Sequence, residues 1–261
     1  MAEYNDIDKS NWREYSEIWT DSLWQIDRRD KSGAHDGSYH GNFVPQIPHQ
    51  LFARYTKRGD WILDTFMGSG TSLIEAKRMG RNSIGIELQS EVAEKARVGI
   101  DDEHAENIRA EILIGDSRSI DLNSELNRLQ INGVQFVIMH PPYWDIINFS
   151  DSADDLSNAA SLEDFLQSFG QVIDNTTSVL DAGRFCAVVI GDKYADKQVV
   201  PLGFYCMNLF LERNFLLKAI IVKNVGETKA KAHQKNLWRY RALLGGFYVF
   251  QHEYVFVFQK K

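Results

Sequence analysis

Short apolar segments alternate with helical patterns along most of this 261-residue chain. Three of these segments end in an acidic residue, and they cover residues 61–64, 83–87 and 111–116. Four more follow at 135–139, 184–190, 216–223 and 254–258. Strands that alternate with helices are typical of βαβ units, in which the crossover helices make neighbouring strands parallel. We therefore predict a doubly wound α/β fold with a mostly parallel, seven-stranded sheet.

The last two predicted strands have no helical pattern between them and are joined by a basic segment, residues 224–246. We therefore predict that they pair as a C-terminal antiparallel hairpin. Further helices are predicted at 48–57, 72–79, 89–107, 161–180 and 201–213, and one or two short ones at 11–27.

Composition narrows the class of protein. The chain has 36 acidic residues against 29 Lys and Arg, a net charge of −7, which argues against a general nucleic-acid coat protein. Its two cysteines, Cys186 and Cys206, exclude a disulfide framework and a cysteine-rich zinc site. No apolar run approaches the roughly 20 residues of a membrane span, and the polar start does not resemble a signal peptide. We expect a cytoplasmic protein with no metal and no membrane contact.

A glycine turn, Asp64-Thr-Phe-Met-Gly-Ser-Gly-Thr, leads from the first strand into a helix. Gly68 and Gly70 permit a tight turn and close approach by a ligand, and the N–H groups that begin the helix suit an anion. No Lys follows the second glycine, which excludes a phosphate loop. The dinucleotide fingerprint also fails, because Leu73 stands where its third glycine would fall. The turn therefore favours a nucleoside-type ligand that carries a carboxylate.

Acids at the ends of the next two strands refine this interpretation. Glu87 is placed to accept hydrogen bonds from ribose hydroxyls, and Asp116 could accept from an adenine amino group. A ligand with a methionine carboxylate, a ribose and an adenine is S-adenosylmethionine.

A second motif, His140-Pro-Pro-Tyr143, follows the fourth strand. With the glycine turn it resembles the amino-methyltransferases of DNA, which make N6-methyladenine or N4-methylcytosine. The cofactor motif of that family reads Asp-Pro-Phe-x-Gly-Ser-Gly-Thr, and its catalytic motif reads (Asp/Asn/Ser)-Pro-Pro-(Tyr/Phe). This chain departs from them at Thr65 and at His140. The resemblance covers about residues 40–145 and the C-terminal strands, and it implies a class I methyltransferase fold.

The resemblance implies S-adenosylmethionine as the cofactor and assigns residues 41–261 to the catalytic domain, with residues 1–40 as an N-terminal extension. The cofactor-binding residues that it implies are Phe43, Asp64, Phe66, Gly68, Gly70, Thr71, Glu87 and Asp116.

The catalytic residues that the resemblance implies are His140, Pro141, Pro142 and Tyr143. An exocyclic amine is a weak nucleophile because its lone pair is delocalised into the ring. In the family, the first side chain of the motif and the carbonyl of the first proline accept the amine protons, and the prolines fix the backbone. Tyr143 would stack on a base turned out of the duplex. Only a neutral imidazole can accept, so activity is expected to fall as the pH drops through about 6–7.

The basic segment 224–246 interleaves Lys and Arg with aromatic residues, a pattern typical of a loop that contacts nucleic-acid backbone. The candidates for DNA contact are Trp144, Lys229, Lys231, Lys235, Arg239 and Arg241.

The resemblance thus predicts methyl transfer to DNA. The aromatic pair Tyr143-Trp144 favours cytosine N4 over adenine N6 as the target. Three alternatives stay open: an RNA amino-group methyltransferase, a cofactor-binding but inactive subunit of a modification complex, and a dinucleotide oxidoreductase. The unusual His140 motivates the second of these. A partner subunit or a homodimer also stays open.

Overall fold

The computed structural model describes residues 4–225 and 235–261. The strands in these ranges are β1 (Leu23–Trp24), β2 (Trp61–Asp64), β3 (Asn82–Glu87), β4 (Ala110–Ile114), β5 (Val134–Met139), β6 (Leu180–Ile190), β7 (Lys193–Ala195), β8 (Gln198–Val200), β9 (Leu216–Asn224) and β10 (His252–Gln259). The helices are α1 (Gln46–Tyr55), α2 (Thr71–Arg78), α3 (Ser90–Asp102), α4 (Leu122–Leu129), α5 (Leu162–Ser178), α6 (Leu202–Glu212) and α7 (Lys235–Gly245).

The main sheet has the strand order β1-β9-β10-β6-β5-β2-β3-β4. All its strands run parallel except β10, which lies antiparallel between β9 and β6. The predicted α/β fold, the seven strands of its mostly parallel sheet and the antiparallel pairing of the last two are confirmed. The two-residue β1 adds an eighth strand at one edge, and β7 pairs with β8 in a separate small sheet.

Helices cover both faces of the sheet, which explains the continuous apolar character of its strands. In β5, Phe136 and Ile138 pack with α1 on one face, and Val137 and Met139 pack with α4, α5 and α6 on the other. The two cysteines lie in the second of these cores, fully buried and unpaired.

The structure differs from two local predictions. The segment between β9 and β10 contains a helix, α7, which the sequence does not signal because its leucines face solvent: Leu243 and Leu244 are each 71% exposed. Of the one or two short helices predicted at 11–27, the structure has only the end of a six-residue 3-10 helix, Lys9–Glu14, and the rest of this range holds β1 and irregular backbone. Near Trp19 the backbone bonds to side chains of α1: the Trp19 N–H donates to Gln50 Oε1 at 2.7 Å, and the Trp19 carbonyl accepts from Arg54 at 2.8 Å.

Candidate active site

A cavity of about 960 Å³ opens at the carboxyl ends of the parallel strands. This is the edge at which open α/β sheets bind ligands. Its walls come from the glycine turn, the ends of β3 and β5, the loop after β4, residues 37–44 of the N-terminal region, the end of β9 and the start of β10.

Most of the residues that the sequence singles out line this one cavity. Those of the implied cofactor set are Phe43, Phe66, Gly68, Thr71, Glu87 and Asp116, and all four residues of the His140–Tyr143 motif join them. Asp64, Gly70 and Trp144 do not line it. The structure therefore brings two motifs that are about 70 residues apart in the sequence to one space.

Asp64 and Gly70 do not line the cavity but stabilise the conformation of the glycine turn. Asp64 is 1% exposed, and its carboxylate accepts hydrogen bonds from the Phe66 N–H at 3.0 Å and from the Ser72 hydroxyl. Burial raises the pKa of Asp64 to about 6. Gly70 is the N-cap of α2 with a φ of +79°, and a Cβ at this position would lie 2.7 Å from Ile100 Cδ1. Both conformation and space therefore require glycine here.

Glu87 ties the turn to the next strand. Its Oε2 accepts from the Gly68 N–H and its Oε1 from the Gln89 N–H, both at 3.0 Å. Burial raises the pKa of Glu87. Asp116, further along the edge, forms a 2.8 Å ion pair with Arg118. Because each carboxylate oxygen can accept more than one hydrogen bond, both acids retain acceptor capacity towards the cavity.

Arg29 is a cavity residue that the sequence analysis missed. Its guanidinium donates to the Phe43 carbonyl at 2.6 Å and lies 3.4 Å from Thr71 Oγ1, at the start of α2. Arg29 Nε is buried and has no hydrogen-bond partner among the described residues. Burial lowers the pKa of Arg29. No motif marks this residue, since it lies in a region without regular secondary structure.

His140 takes part in a chain of polar contacts that leads to two further residues missed from the sequence. Its Nε2 lies 3.3 Å from the Tyr143 hydroxyl, which donates to Glu253 Oε2 at 2.8 Å. Glu253 Oε1 in turn accepts from Lys223 Nζ at 2.7 Å. The sequence gives one signal only: Lys223 ends one predicted strand and Glu253 immediately precedes the other.

Burial lowers the pKa of His140 to about 4 and raises the pKa of Tyr143 well above its ordinary value. The imidazole is therefore neutral over the physiological range. This corrects the expectation that its protonation would reduce activity at about pH 6–7, because that expectation assumed an ordinary, solvated histidine.

Trp144 packs beside the cavity. It has a φ of +52°, its indole N–H donates to the Ala159 carbonyl at 3.0 Å, and Lys193 Nζ lies 4.0 Å from its ring centroid. Lys193 also pairs with Asp145. One face of the indole is therefore covered by a cation from β7.

The other candidates for DNA contact belong to the basic segment 224–246. Lys229 and Lys231 lie outside the described residues; Lys235 begins α7, and Arg239 and Arg241 are exposed on it. Across residues 4–225 and 235–261, no group of three or more His, Cys, Asp or Glu side chains is arranged to hold a metal ion. No helix in those ranges is long and apolar enough to span a membrane.

Comparison with known proteins points to one family. The model of the DNA methylase family matches residues 2–98. The chain is 34% identical over 111 residues to the Type II methyltransferase M2.DpnII of Streptococcus pneumoniae, an alignment that covers 41% of this chain and 36% of that protein. It is 48% identical over 50 residues to the Type II methyltransferase M.MjaII of Methanocaldococcus jannaschii, covering 19% of this chain and 9% of that protein.

The chain thus spans less than two fifths of the length of either relative. Among solved structures, it is similar to a SAM-dependent methyltransferase from Methanosarcina mazei, with a TM-score of 0.52, 14% identity, and coverage of 84% of this chain and 98% of that one. The resemblance to the DNA amino-methyltransferases, and the class I methyltransferase fold that it implies, are confirmed by these findings.

Proposed function

We propose that this chain transfers a methyl group from S-adenosylmethionine to an exocyclic amino group of a DNA base, with cytosine N4 favoured over adenine N6. The observation that carries the proposal is that the glycine turn and the His140–Tyr143 motif line the same cavity. The match to the DNA methylase family over residues 2–98 supports DNA as the substrate. The preference for cytosine rests on the aromatic continuation of the motif, Tyr143-Trp144.

The cavity fits the proposed cofactor. Arg29 lines the cavity, and with the first N–H groups of α2 it offers positive charge for a carboxylate. Glu87 and Asp116 offer acceptors for hydroxyl and amino groups, and Phe43 and Phe66 supply apolar surface. A volume of about 960 Å³ lies within the range of about 300–1,000 Å³ that ligand pockets have.

S-adenosylmethionine supplies an electrophilic sulfonium methyl group. The protein's task is then to hold the amine in line and to localise its lone pair. The neutral imidazole of His140 and the carbonyl of Pro141 would accept the two amine protons, which favours a tetrahedral nitrogen. Pro141 and Pro142 fix the backbone φ angles that hold the carbonyl in place. Positioning and preorganised acceptors then account for most of the acceleration.

The surroundings of His140 favour this role. The Phe43 ring lies 5.0 Å from the imidazole centroid, and the side chain faces the cavity. Hydrogen bonds are stronger in such a partly desolvated site than in water. The target amine can reach this depth only if the base leaves the stack, as in other enzymes that react with bases.

We assign the reaction to residues 41–261, to which the extension 1–40 contributes Arg29. Lys229, Lys231, Lys235, Arg239 and Arg241 remain predicted contacts to the DNA backbone, and Trp144 remains a predicted contact at the rim.

The decisive experiment is transfer of labelled methyl to duplex DNA, followed by digestion to nucleosides and mass spectrometry. We expect N4-methylcytosine from the wild type and at least about 100-fold less product from His140→Ala, the loss typical of removing one preorganised group. His104→Ala, an exposed histidine outside the cavity, serves as the matched control.

Each other outcome would change the proposal. N6-methyladenine would correct the base and keep the class. Methylated product on RNA alone would identify RNA as the substrate in place of DNA. Cofactor binding without methyl transfer to either nucleic acid would favour a subunit of a modification complex that needs its partner. Equal activity of His140→Ala and wild type would remove His140 from the mechanism.

A further inference from the structure

Acceptance of an amine proton by His140 requires a particular tautomer. A neutral imidazole has one protonated nitrogen, which donates, and one bare nitrogen, which accepts. The tautomer is set by the partner of the other ring nitrogen. The contacts of His140 Nε2 therefore determine whether Nδ1 is able to accept.

The proton positions in the chain from Lys223 to His140 follow from the donor capacities of its members. The Lys223 ammonium can only donate, so Glu253 Oε1, which it meets at 2.7 Å, is the acceptor of this bond. The single hydroxyl proton of Tyr143 is directed to Glu253 Oε2 at 2.8 Å. The Tyr143 oxygen then has only lone pairs to offer His140 Nε2 at 3.3 Å, so that nitrogen must carry the proton.

The other ring nitrogen, Nδ1, has no hydrogen-bond partner among the described residues, although His140 lines the cavity. We propose that the Lys223–Glu253 pair, acting through Tyr143, holds His140 in the Nε2–H tautomer and so presents the bare Nδ1 to the substrate amine. This assignment rests on the proposed function for its chemical purpose. Glu253 and Lys223 are positioning residues in it, because neither is assigned a contact with the substrate.

The fold places this pair where it is needed. Lys223 and Glu253 are direct cross-strand partners in the antiparallel β9–β10 ladder. Because β10 runs against the other strands, its first residues lie at the carboxyl edge, beside the last residues of β9. The side chains of Lys223 and Glu253 are only 7% and 12% exposed. A buried ion pair of this kind is weak evidence for stability, and a fixed hydrogen-bond direction is a better reason for it.

The tautomer can be observed directly, without any assay of activity. Histidine labelled with 15N gives a pyrrole-type shift for the protonated ring nitrogen and a pyridine-type shift for the bare one. The chain has seven histidines, and the signal that disappears in His140→Asn identifies residue 140. We expect the pyrrole-type shift at Nε2 in the wild type. A pyrrole-type shift at Nδ1 would overturn the proposal, and this result stands even if the protein has no methyltransferase activity.

Glu253→Gln tests the cause. Lys223 will keep the amide oxygen as its acceptor, so the amide NH₂ turns towards Tyr143 and the tyrosine proton is redirected to His140 Nε2. We therefore expect the two 15N shifts to exchange. Glu212→Gln, an exposed carboxylate on α6, should leave them unchanged. A variant that keeps the wild-type shifts would show that Glu253 does not set the tautomer.

Kinetics give a second test, which distinguishes a Glu253 that sets the tautomer of His140 from a Glu253 that only packs against its neighbours. Glu253→Gln should lower kcat by about 10- to 100-fold, a loss similar to that caused by removing a residue that orients a metal-binding histidine. In a His140→Asn background the same change should cost less than about threefold, because an asparagine amide has no tautomer to lose. An equal loss in both backgrounds would show that Glu253 acts through packing.

Discussion

The two halves of the cavity are held together over different distances in the sequence. In the glycine-turn half, Asp64 bonds to groups two and eight residues away, and Glu87 bonds to Gly68, 19 residues away. In the His140–Tyr143 half, Tyr143 depends on Glu253, 110 residues away, and Glu253 on Lys223. The first half is a local backbone structure, and the second is a side-chain network assembled by the sheet.

This difference has consequences for how each half responds to mutation. The glycine-turn half should fail when its backbone conformation is blocked, with a cost in both folding and cofactor affinity. The His140–Tyr143 half should fail when a proton is misdirected, with little cost in folding. Measuring protein stability, cofactor affinity and kcat for the same variants therefore tests whether the two halves differ in this way.

The largest effect is expected from Gly70→Ala. The new Cβ would meet Ile100 Cδ1 at 2.7 Å while φ is +79°. Strain and overpacking should together lower the free energy of unfolding by about 2–4 kcal/mol and abolish binding of S-adenosylhomocysteine. Denaturant unfolding and calorimetric titration measure these quantities.

Gly59→Ala is the matched control for that variant. Gly59 has nearly the same φ, +80°, but nothing lies within 4 Å of the added Cβ. It should cost only about 1–2 kcal/mol, the penalty of the left-handed conformation alone. If both variants lose the same free energy of unfolding and both bind S-adenosylhomocysteine normally, the cofactor site does not depend on the backbone conformation at Gly70.

The same difference explains what the sequence could predict. Strand ends, a glycine turn and two prolines are local signals, and from them the sequence predicted β2, β3 and β5. Ten of the twelve residues that the family resemblance implies for cofactor binding and catalysis line the cavity. Arg29, Lys223 and Glu253 were missed because nothing in their neighbourhood of sequence says which residue they will meet. Helix α7 was missed because no apolar stripe on it faces a core.

Arg29→Gln tests whether the glycine-turn half also depends on a residue that is distant in sequence, since Arg29 contacts it from the N-terminal region. Loss of one charge-assisted contact should weaken binding of S-adenosylhomocysteine by about tenfold or more, and should leave methylthioadenosine, which has no carboxylate, unaffected. Calorimetry with both ligands measures the difference, and Arg28→Gln, exposed and outside the cavity, is the control. Equal weakening of both ligands would place Arg29 in the architecture of the loop and not at the carboxylate.

Arg239 and Arg241 lie outside both halves, so the double variant Arg239→Gln/Arg241→Gln should leave cofactor affinity and the 15N shifts of His140 unchanged. If the two side chains contact phosphates, DNA affinity should fall a few-fold, and the slope of log K against log salt should become less steep by about 0.9 for each lost contact. Fluorescence anisotropy across a salt series measures both. An unchanged slope would remove α7 from the DNA interface.

The smallest expected effect is that of pH on kcat, and a small effect would show that His140 stays neutral. The active form of His140 is the neutral one, and burial lowers its pKa to about 4. Between pH 7 and pH 5 its protonation should therefore reduce kcat by only about 10%, whereas an ordinary imidazole with a pKa near 6.5 would reduce it by about 25-fold.

The unfolded chain takes up this proton near pH 6.5 and the folded chain does not, so His140 lowers stability as the pH falls from about 6.5 towards 4. Rates must accordingly be divided by the folded fraction from circular dichroism, and His140→Asn, which does not titrate, shows what the other groups contribute. A fall near pH 6.5 in the wild type that is missing from His140→Asn would mean that water reaches the imidazole, and that the network through Tyr143 does not isolate it.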